Sequence, residues 1–567
     1  MMHWIYNDID ADQVLEHSQR LGLPWLHSLI LLSRGLDSAE MIKEFINLED
    51  IPFHDPFLLE DMEKAVQRIE EAIHKQEKVL IYGDYDVDGI TSASALYLFF
   101  RDYLESIEYY IPDREKDGYG LSPKGINYAR DNNISLIITC DCGITSFEEI
   151  KIAKTFGIDT VVSDHHKPSA ELPDAVAIVN PKRDDDNYPF TDLCGAGVVF
   201  KIIQAFLVKT DQDISEANKY LDLIAMGTAA DMVSITGENR QIVAHGLTQI
   251  NQHKRIGLNE LIKISRLLNK EISVTEIVFI IAPRLNAVGR LGQAERAVKL
   301  LTTDDVHIAR EYSAILDEEN NRRREIEKDV MNEAIMHINY KYSGKIPKII
   351  VLADDKWHSG VIGIVCSKLK ELYNRPIILI TITNGIGKGS GRSINGFDLY
   401  EALHQNTEYL DTFGGHIMAA GLTIKEENIN EFEESLNNYA DPLLSEDMLL
   451  PKIKLESDVD IEAVNRPLID LLQQMRPFGP GNMRPKFSIH NVSPFYAKII
   501  GNNHLKFKIS KNNSSLDCIA WNLAEKYELV SNTSNAIDIA FVPQLNHWNG
   551  TVSIQLVIKD IREHKQD

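Results

Sequence analysis

Residues 78–98, KVLIYGDYDVDGITSASALYL, decide the fold. The stretch opens on an apolar run, Val79-Leu80-Ile81-Tyr82, passes at once to aspartates at 84, 86 and 88, turns on Gly89 and continues in small residues at helical spacing. A buried strand that ends in acids and feeds a helix is the opening unit of a parallel α/β sheet, whose strand ends project side chains into the crevice where such sheets bind ligands. Carboxylates packed that closely repel one another unless a hard cation neutralises them, so the stretch reads as half of a Mg²⁺ or Mn²⁺ site. The alternative is a solvated polar turn, a setting in which acids at i, i+2 and i+4 seldom follow an apolar strand.

Working outward, other apolar elements end the same way. Residues 136–139 run into Cys140-Asp141-Cys142-Gly143, residues 160–162 into Ser163-Asp164-His165-His166, and a helical segment from about 220 to 226 into a turn carrying Asp231. Each alone is weak: a lone histidine is more often structural, and Asp231 could cap a helix. Four such points at four element ends can converge if the elements are neighbours around one sheet.

Length and composition frame this. A chain of 567 residues, 44% hydrophobic and 25% charged, is a soluble globular protein of about three or four domains. No signal-peptide order and no membrane-length apolar run is present, so a cytoplasmic location with no membrane association is expected. Five cysteines make neither a disulfide framework nor a zinc quartet and read as reduced thiols. The net charge of −25 argues superficially against nucleic acid, yet residues 484–512 hold six Lys or Arg and no acid.

In chain order, residues 1–50 suggest a helical cap packed on the domain after it, and 51–303 an α/β domain. Residues 304–342, without Gly or Pro, suggest a long connecting helix, whose arginines 322–324 read as a solvated face. Residues 343–447 suggest a second α/β domain, in which GKGSGRS (387–393) reads as a glycine-rich turn offering amides to a phosphate. Residues 448–567 carry alternating short strands that suggest a small barrel, with Phe487, Phe495, Tyr496, Phe507 and Trp521 as aromatics that could stack bases or fill its core.

GDYDVDG, TCDCG, SDHH, GSGRS and FGGHIMAAG together resemble the signature set of the DHH phosphoesterase superfamily, and their order is similar to its single-strand-specific 5′-to-3′ exonuclease branch. The resemblance runs from about residue 50 to the end. It implies an α/β fold: a DHH and a DHHA1 domain joined by a long helix around a cleft, plus an OB-fold barrel. It implies two Mn²⁺ or Mg²⁺ ions held by Asp84, Asp86, Asp141, His165 and Asp231, with Asp141 bridging, Asp164 in support and His166 facing the scissile phosphate. Small-substrate members carry a histidine where this chain has Leu80, so one ion is expected to bind more weakly unless Asp88 compensates.

Arg114, Arg284, Asn286, Arg290, Ser390, Arg392 and His416 would bind substrate, since guanidinium groups match phosphate oxygens with paired hydrogen bonds. The implied function is a metal-dependent exonuclease that degrades single-stranded DNA from its 5′ end to mononucleotides in repair and recombination. A monomer partnered by a single-stranded-DNA-binding protein and a helicase is expected. The competing readings are a phosphodiesterase of short oligonucleotides or cyclic dinucleotides, and a non-catalytic nucleic-acid-binding scaffold.

Overall fold

Five parallel strands form the sheet that the opening motif begins, in the order Ile107–Tyr110, Val79–Gly83, Leu136–Cys140, Asp159–Ser163, Ala177–Val179. The computed structural model describes residues 2–114, 117–118, 120–291, 293–532, 536–548 and 550–565. Val79–Gly83 and Leu136–Cys140 are buried at every position, as expected of strands covered on both faces. The order 2-1-3-4-5 places a topological switch point beside the first strand, where a crevice opens at the carboxyl ends.

The chain divides into two compact units, residues 54–233 with 245–451, and residues 1–53 with 234–244 and 452–567. The first contains the parallel sheet, the 37-residue helix Val306–Tyr342 and a second sheet ordered Leu410–His416, Ala419–Lys425, Ile386–Arg392, Ile377–Thr383, Ile350–Asp354. Alternate residues of the second sheet face two cores. Val351, Ile378 and Ile380 pack with Leu399 and Phe432, while Ile350, Leu352, Ile377 and Leu379 pack with Val361, Leu369 and the long helix.

The expected glycine-rich turn at 387–393 is instead a central strand, Ile386–Arg392, paired on both sides. Its amides serve the ladders and cannot cradle a phosphate. The glycines alternate for a steric reason: a Cβ at Gly387, Gly389 or Gly391 would come within 2.7–2.8 Å of Ile380, Leu422 or Leu399. Lys388, Ser390 and Arg392 therefore share the opposite face. The arginine run on the long helix is also less solvated than expected, because Arg323 is largely buried and bonds Glu327 at 3.0 Å and Asn320 at 3.0 Å.

In the second unit, five strands close a barrel: Phe487–Ile500, His504–Lys511, Ser514–Ala520, Thr551–Glu563 and Ile537–Trp548, the last pairing back to the first. Residues 1–50, expected as a helical cap, belong to this second unit. His3–Tyr6 pairs in parallel with Lys452–Leu455, and Val14, Leu29 and Ile30 of two N-terminal helices join the barrel core. The apolar stripes of those helices are buried in the same core as the barrel's inward side chains. Among the described residues no helix is long and apolar enough to cross a membrane, and all five cysteines are free and buried.

The barrel also separates its aromatics. Phe487 and Phe507 are core residues at 0% and 1% exposure, whereas Tyr496 and Trp521 are 79% and 52% exposed. Phe507→Ala should therefore cost about 3–5 kcal/mol of stability, and Tyr496→Ala should stay within about 0.5 kcal/mol. Urea denaturation of the full chain measures both, and a neutral Phe507→Ala would contradict its place in the core.

Candidate metal centre

Main-chain pairing continues one step past three strands of the parallel sheet, Val79–Gly83, Leu136–Cys140 and Asp159–Ser163. Asp84 N–H donates to Cys140 O at 3.1 Å, Asp141 N–H to Ser163 O at 3.0 Å and Asp164 N–H to Val179 O at 3.2 Å. Three aspartates from three distant motifs thereby sit side by side at adjoining strand ends. Each is at most 3% exposed.

The first motif divides its labour. Asp84 ends the strand with Oδ1 buried and without a hydrogen-bond partner. Asp86 caps the helix Val87–Phe100, accepting from the Asp88 and Gly89 amides at 2.9 and 3.1 Å. Gly89 is obligatory because a Cβ there would lie 2.5–2.7 Å from the Asp84 main chain. Asp88 turns inward, each oxygen accepting an amide at the start of helix Gly195–Lys209, from Gly195 at 2.7 Å and Ala196 at 2.9 Å. It lends charge to the site but has little freedom to make good a missing histidine. Leu80 is fully buried in the sheet's apolar core.

Asp141 adopts the left-handed conformation, φ 63°, which a non-glycine residue holds only when its surroundings enforce it. Thr139 helps to do so: its hydroxyl donates to Cys142 O at 2.7 Å and accepts from Ser163 N–H at 3.1 Å, tying the TCDCG turn to the next strand. His165 Nε2 lies 3.0 Å from Asp141 Oδ1 and 3.6 Å from Asp231 Oδ2. Asp164 accepts from the His165, His166 and Ile144 amides and from His166 Nδ1 at 2.8 Å.

Three overlapping donor sets result, Asp84–Asp86–Asp141, Asp141–His165–His166 and Asp88–His165–Asp231. Asp141 is common to the first two, and His165 links the second to Asp231. Burial holds His165 neutral, its pKa pushed down to about 3, so its ring can offer a lone pair. Burial and the neighbouring carboxylates push Asp231 up to about 8 and Asp84 and Asp141 well above the carboxylate range. An orphaned buried oxygen and mutually repelling acids around a neutral imidazole fit divalent cations. His166 goes the other way: burial works to lower it, but its bond to Asp164 together with the charges of Asp164, Asp231 and Asp84 prevails and raises it to about 9.

A groove of about 660 Å³ in the same unit is lined by Arg114, Arg290, Lys388, Ser390 and Arg392. Arg290 is pushed down to about 10 by burial and by its neighbours, Arg114 and Arg392 among them. Guanidinium groups that oppose one another's charge call for an anion. Of the other residues expected to bind substrate, Arg284 bonds Asp317 at 2.9 Å and Ile280 O at 2.7 Å, so its fork is already engaged. Asn286 is half-buried on the helix Ala282–Leu291 and His416 exposed at a hairpin end, and neither lines this groove.

Without metal, the folded chain retains protons on acids that the unfolded chain releases near pH 4. Stability should thus fall as pH rises from 6.5 to 8, the range in which Asp231 and His166 both act in that direction. Mn²⁺ should raise the thermal midpoint more at pH 8 than at 6.5. Asp141→Asn should match or exceed wild-type stability without metal and lose most of the Mn²⁺ response. A metal-free midpoint that climbs over this range would count against the site.

Comparison with known proteins gives matches along most of the chain. Residues 78–228 match the DHH family, N-terminal domain, 347–441 the DHHA1 domain and 455–560 the RecJ OB domain. The single-stranded-DNA-specific exonuclease RecJ of Bacillus subtilis (strain 168) is 38% identical over 563 residues, 99% of this chain and 70% of that protein. That of Salmonella typhimurium (strain LT2) is 32% identical over 97% of this chain and 98% of its own. The crystal structure of RecJ in complex with Mn²⁺ from Thermus thermophilus superposes with a TM-score of 0.84 at 27% identity, covering 100% of this chain and 80% of that one.

Proposed function

The chain belongs to the RecJ family of single-stranded-DNA-specific exonucleases, and from that premise we propose that it removes mononucleotides stepwise from the 5′ end of single-stranded DNA. The observation that carries the reading is the pairing of two donor sets sharing Asp141 with an arginine groove in the same unit. A divalent cation is the cofactor, Mn²⁺ or Mg²⁺, and two ions are the reading we favour, one held by Asp84, Asp86 and Asp141 and the other by Asp141, His165 and Asp231, with His166 left free for the substrate. Bound there, they would polarise the scissile phosphate and lower the pKa of the attacking water.

The chain's own residues do the rest. Asp141, fixed in a strained conformation, belongs to both sets and sets their spacing. His166, cationic at neutral pH through Asp164, presents a positive N–H to the scissile phosphate. Arg290 and Arg392, with Ser390, receive the terminal phosphate and so fix the bond to be cut. A groove lined by long cations over a glycine-spaced strand admits one strand more readily than a duplex. On the barrel, Tyr496 and Trp521 and the basic strands add affinity for longer DNA.

The enzyme acts as a cytoplasmic monomer in repair and recombination, beside a single-stranded-DNA-binding protein and a helicase. A scaffold without catalysis would have no reason to keep every ligand but the histidine that Leu80 replaces, and cleavage of cyclic dinucleotides would leave the barrel idle.

Single-stranded oligonucleotides labelled at either end, with and without Mn²⁺, test the reading. A 5′ label should appear at once as mononucleotide and a 3′ label as a shortening ladder; the reverse would overturn the polarity. Arg290→Ala and Arg392→Ala should each weaken substrate capture by about 1.5–3 kcal/mol in single-turnover kinetics and leave Mn²⁺ affinity intact. Collapse of metal affinity instead would remove them from the phosphate site. Deleting the barrel is not a clean test, because residues 1–53 share its core. Trp521→Ala is, and should slow degradation of long strands more than of very short ones.

A further inference from the structure

Tyr85 stands in the chain between Asp84 and Asp86, two donors of the first metal set, and is no donor itself. Two contacts lead from it the other way, toward the arginine groove. Its main-chain oxygen lies so close to the helix Ala282–Leu291 that a Cβ at Gly289 would come within 2.7 Å of it, which sets the Tyr85 peptide against the residue that precedes Arg290. Its ring lies under Arg114, whose Cζ is 5.4 Å from the ring centroid.

Pairs of arginine and an aromatic ring are frequent in folded proteins, and one alone is a surface contact. The three arginines of the groove differ, however, in what holds them. Arg290 Nη1 donates to Gly360 O at 3.1 Å, and Arg392 Nη1 donates to Gly391 O at 2.8 Å and to Ser390 Oγ at 3.2 Å. Arg114 is exposed and, among the described residues, enters no ion pair. A long side chain without a brace must give up its rotamer freedom when an anion arrives, and that cost is taken from affinity. A ring beneath the planar guanidinium confines it beforehand.

We propose that Tyr85 is a positioning residue for Arg114: its ring holds the guanidinium ready for the terminal phosphate, and its place between Asp84 and Asp86 ties that phosphate seat to the metal centre. This rests on the exonuclease reading above. The distance from terminal phosphate to metal decides which bond is cut, and a residue joined by peptide bonds to two metal donors and by its ring to a phosphate-binding arginine leaves few parts between them to move. The ring acts through its face, so the aromatic is needed and the hydroxyl is not.

The test measures the affinity of the full chain, without metal so that no strand is cut, for a short single strand ending in a 5′-phosphate or a 5′-hydroxyl. Wild type should prefer the phosphate. Tyr85→Leu should lose roughly 2- to 30-fold in affinity for the phosphate-ended strand and little for the other, while Tyr85→Phe keeps the wild-type values. In an Arg114→Ala background Tyr85→Leu should cost nothing further, since the ring then has nothing to hold. The thermal midpoint and Mn²⁺ affinity of Tyr85→Leu should match wild type. An unchanged affinity for Tyr85→Leu, losses that multiply in the double variant, equal losses on both ends, or a fall in Mn²⁺ affinity would each overturn the positioning role. A wild type indifferent to the terminal phosphate would defeat the phosphate seat and this role together. A wild type that binds the phosphate with that preference but cuts nothing once Mn²⁺ is added would defeat the exonuclease reading alone.

Discussion

Repulsion among buried carboxylates is the constraint on which the catalytic unit turns. Asp84, Asp88 and Asp141 are almost wholly removed from water, and oxygens of Asp84, Asp86 and Asp141 lie within 4.8 Å of one another, an arrangement the fold tolerates only by partial compensation. Asp86 and Asp88 accept helix amides and Asp164 accepts from four donors, whereas Asp84 Oδ1 is left for a cation. Structure and function conflict here as they commonly do at active sites: metal-free stability is given up to pre-form a binding site. The strand ladders that extend one residue past each strand keep the acids from moving apart.

The second sheet solves a different problem with a different device. A strand that must pack tightly on one face and offer cations on the other uses glycine on the packed face, so Leu422, Leu399 and Ile380 fill the space a side chain would have taken. Long polar residues can then stand on the far face with their bases supported by the helix Ser359–Tyr373. Substitution at either parity should fail for unrelated reasons, packing in one case and anion capture in the other.

How much of this was legible in the sequence depended on whether the signal was local. An apolar run ending in an acid marks a strand end wherever it occurs, so all five metal-ligand candidates could be read from the chain and the structure brings them together. The GKGSGR strand was misread because glycine spacing hides a period of two behind the look of a flexible turn. Arg284 resembled a phosphate contact because only its partner across 33 residues, Asp317, shows it to be engaged. Phe507 and Trp521 cannot be told apart by composition; closure of the barrel decides which aromatic faces inward.

The first fifty residues complete a unit whose remaining strands lie more than four hundred residues downstream, since His3–Tyr6 pairs with Lys452–Leu455. During synthesis at about 5–20 residues per second, these helices therefore wait roughly 20–90 s for their partner strand to leave the ribosome. The catalytic unit, apart from a short excursion at 234–244, is finished in that interval. The apolar stripes of these helices therefore stay uncovered by the barrel core until residues 452–567 have been made.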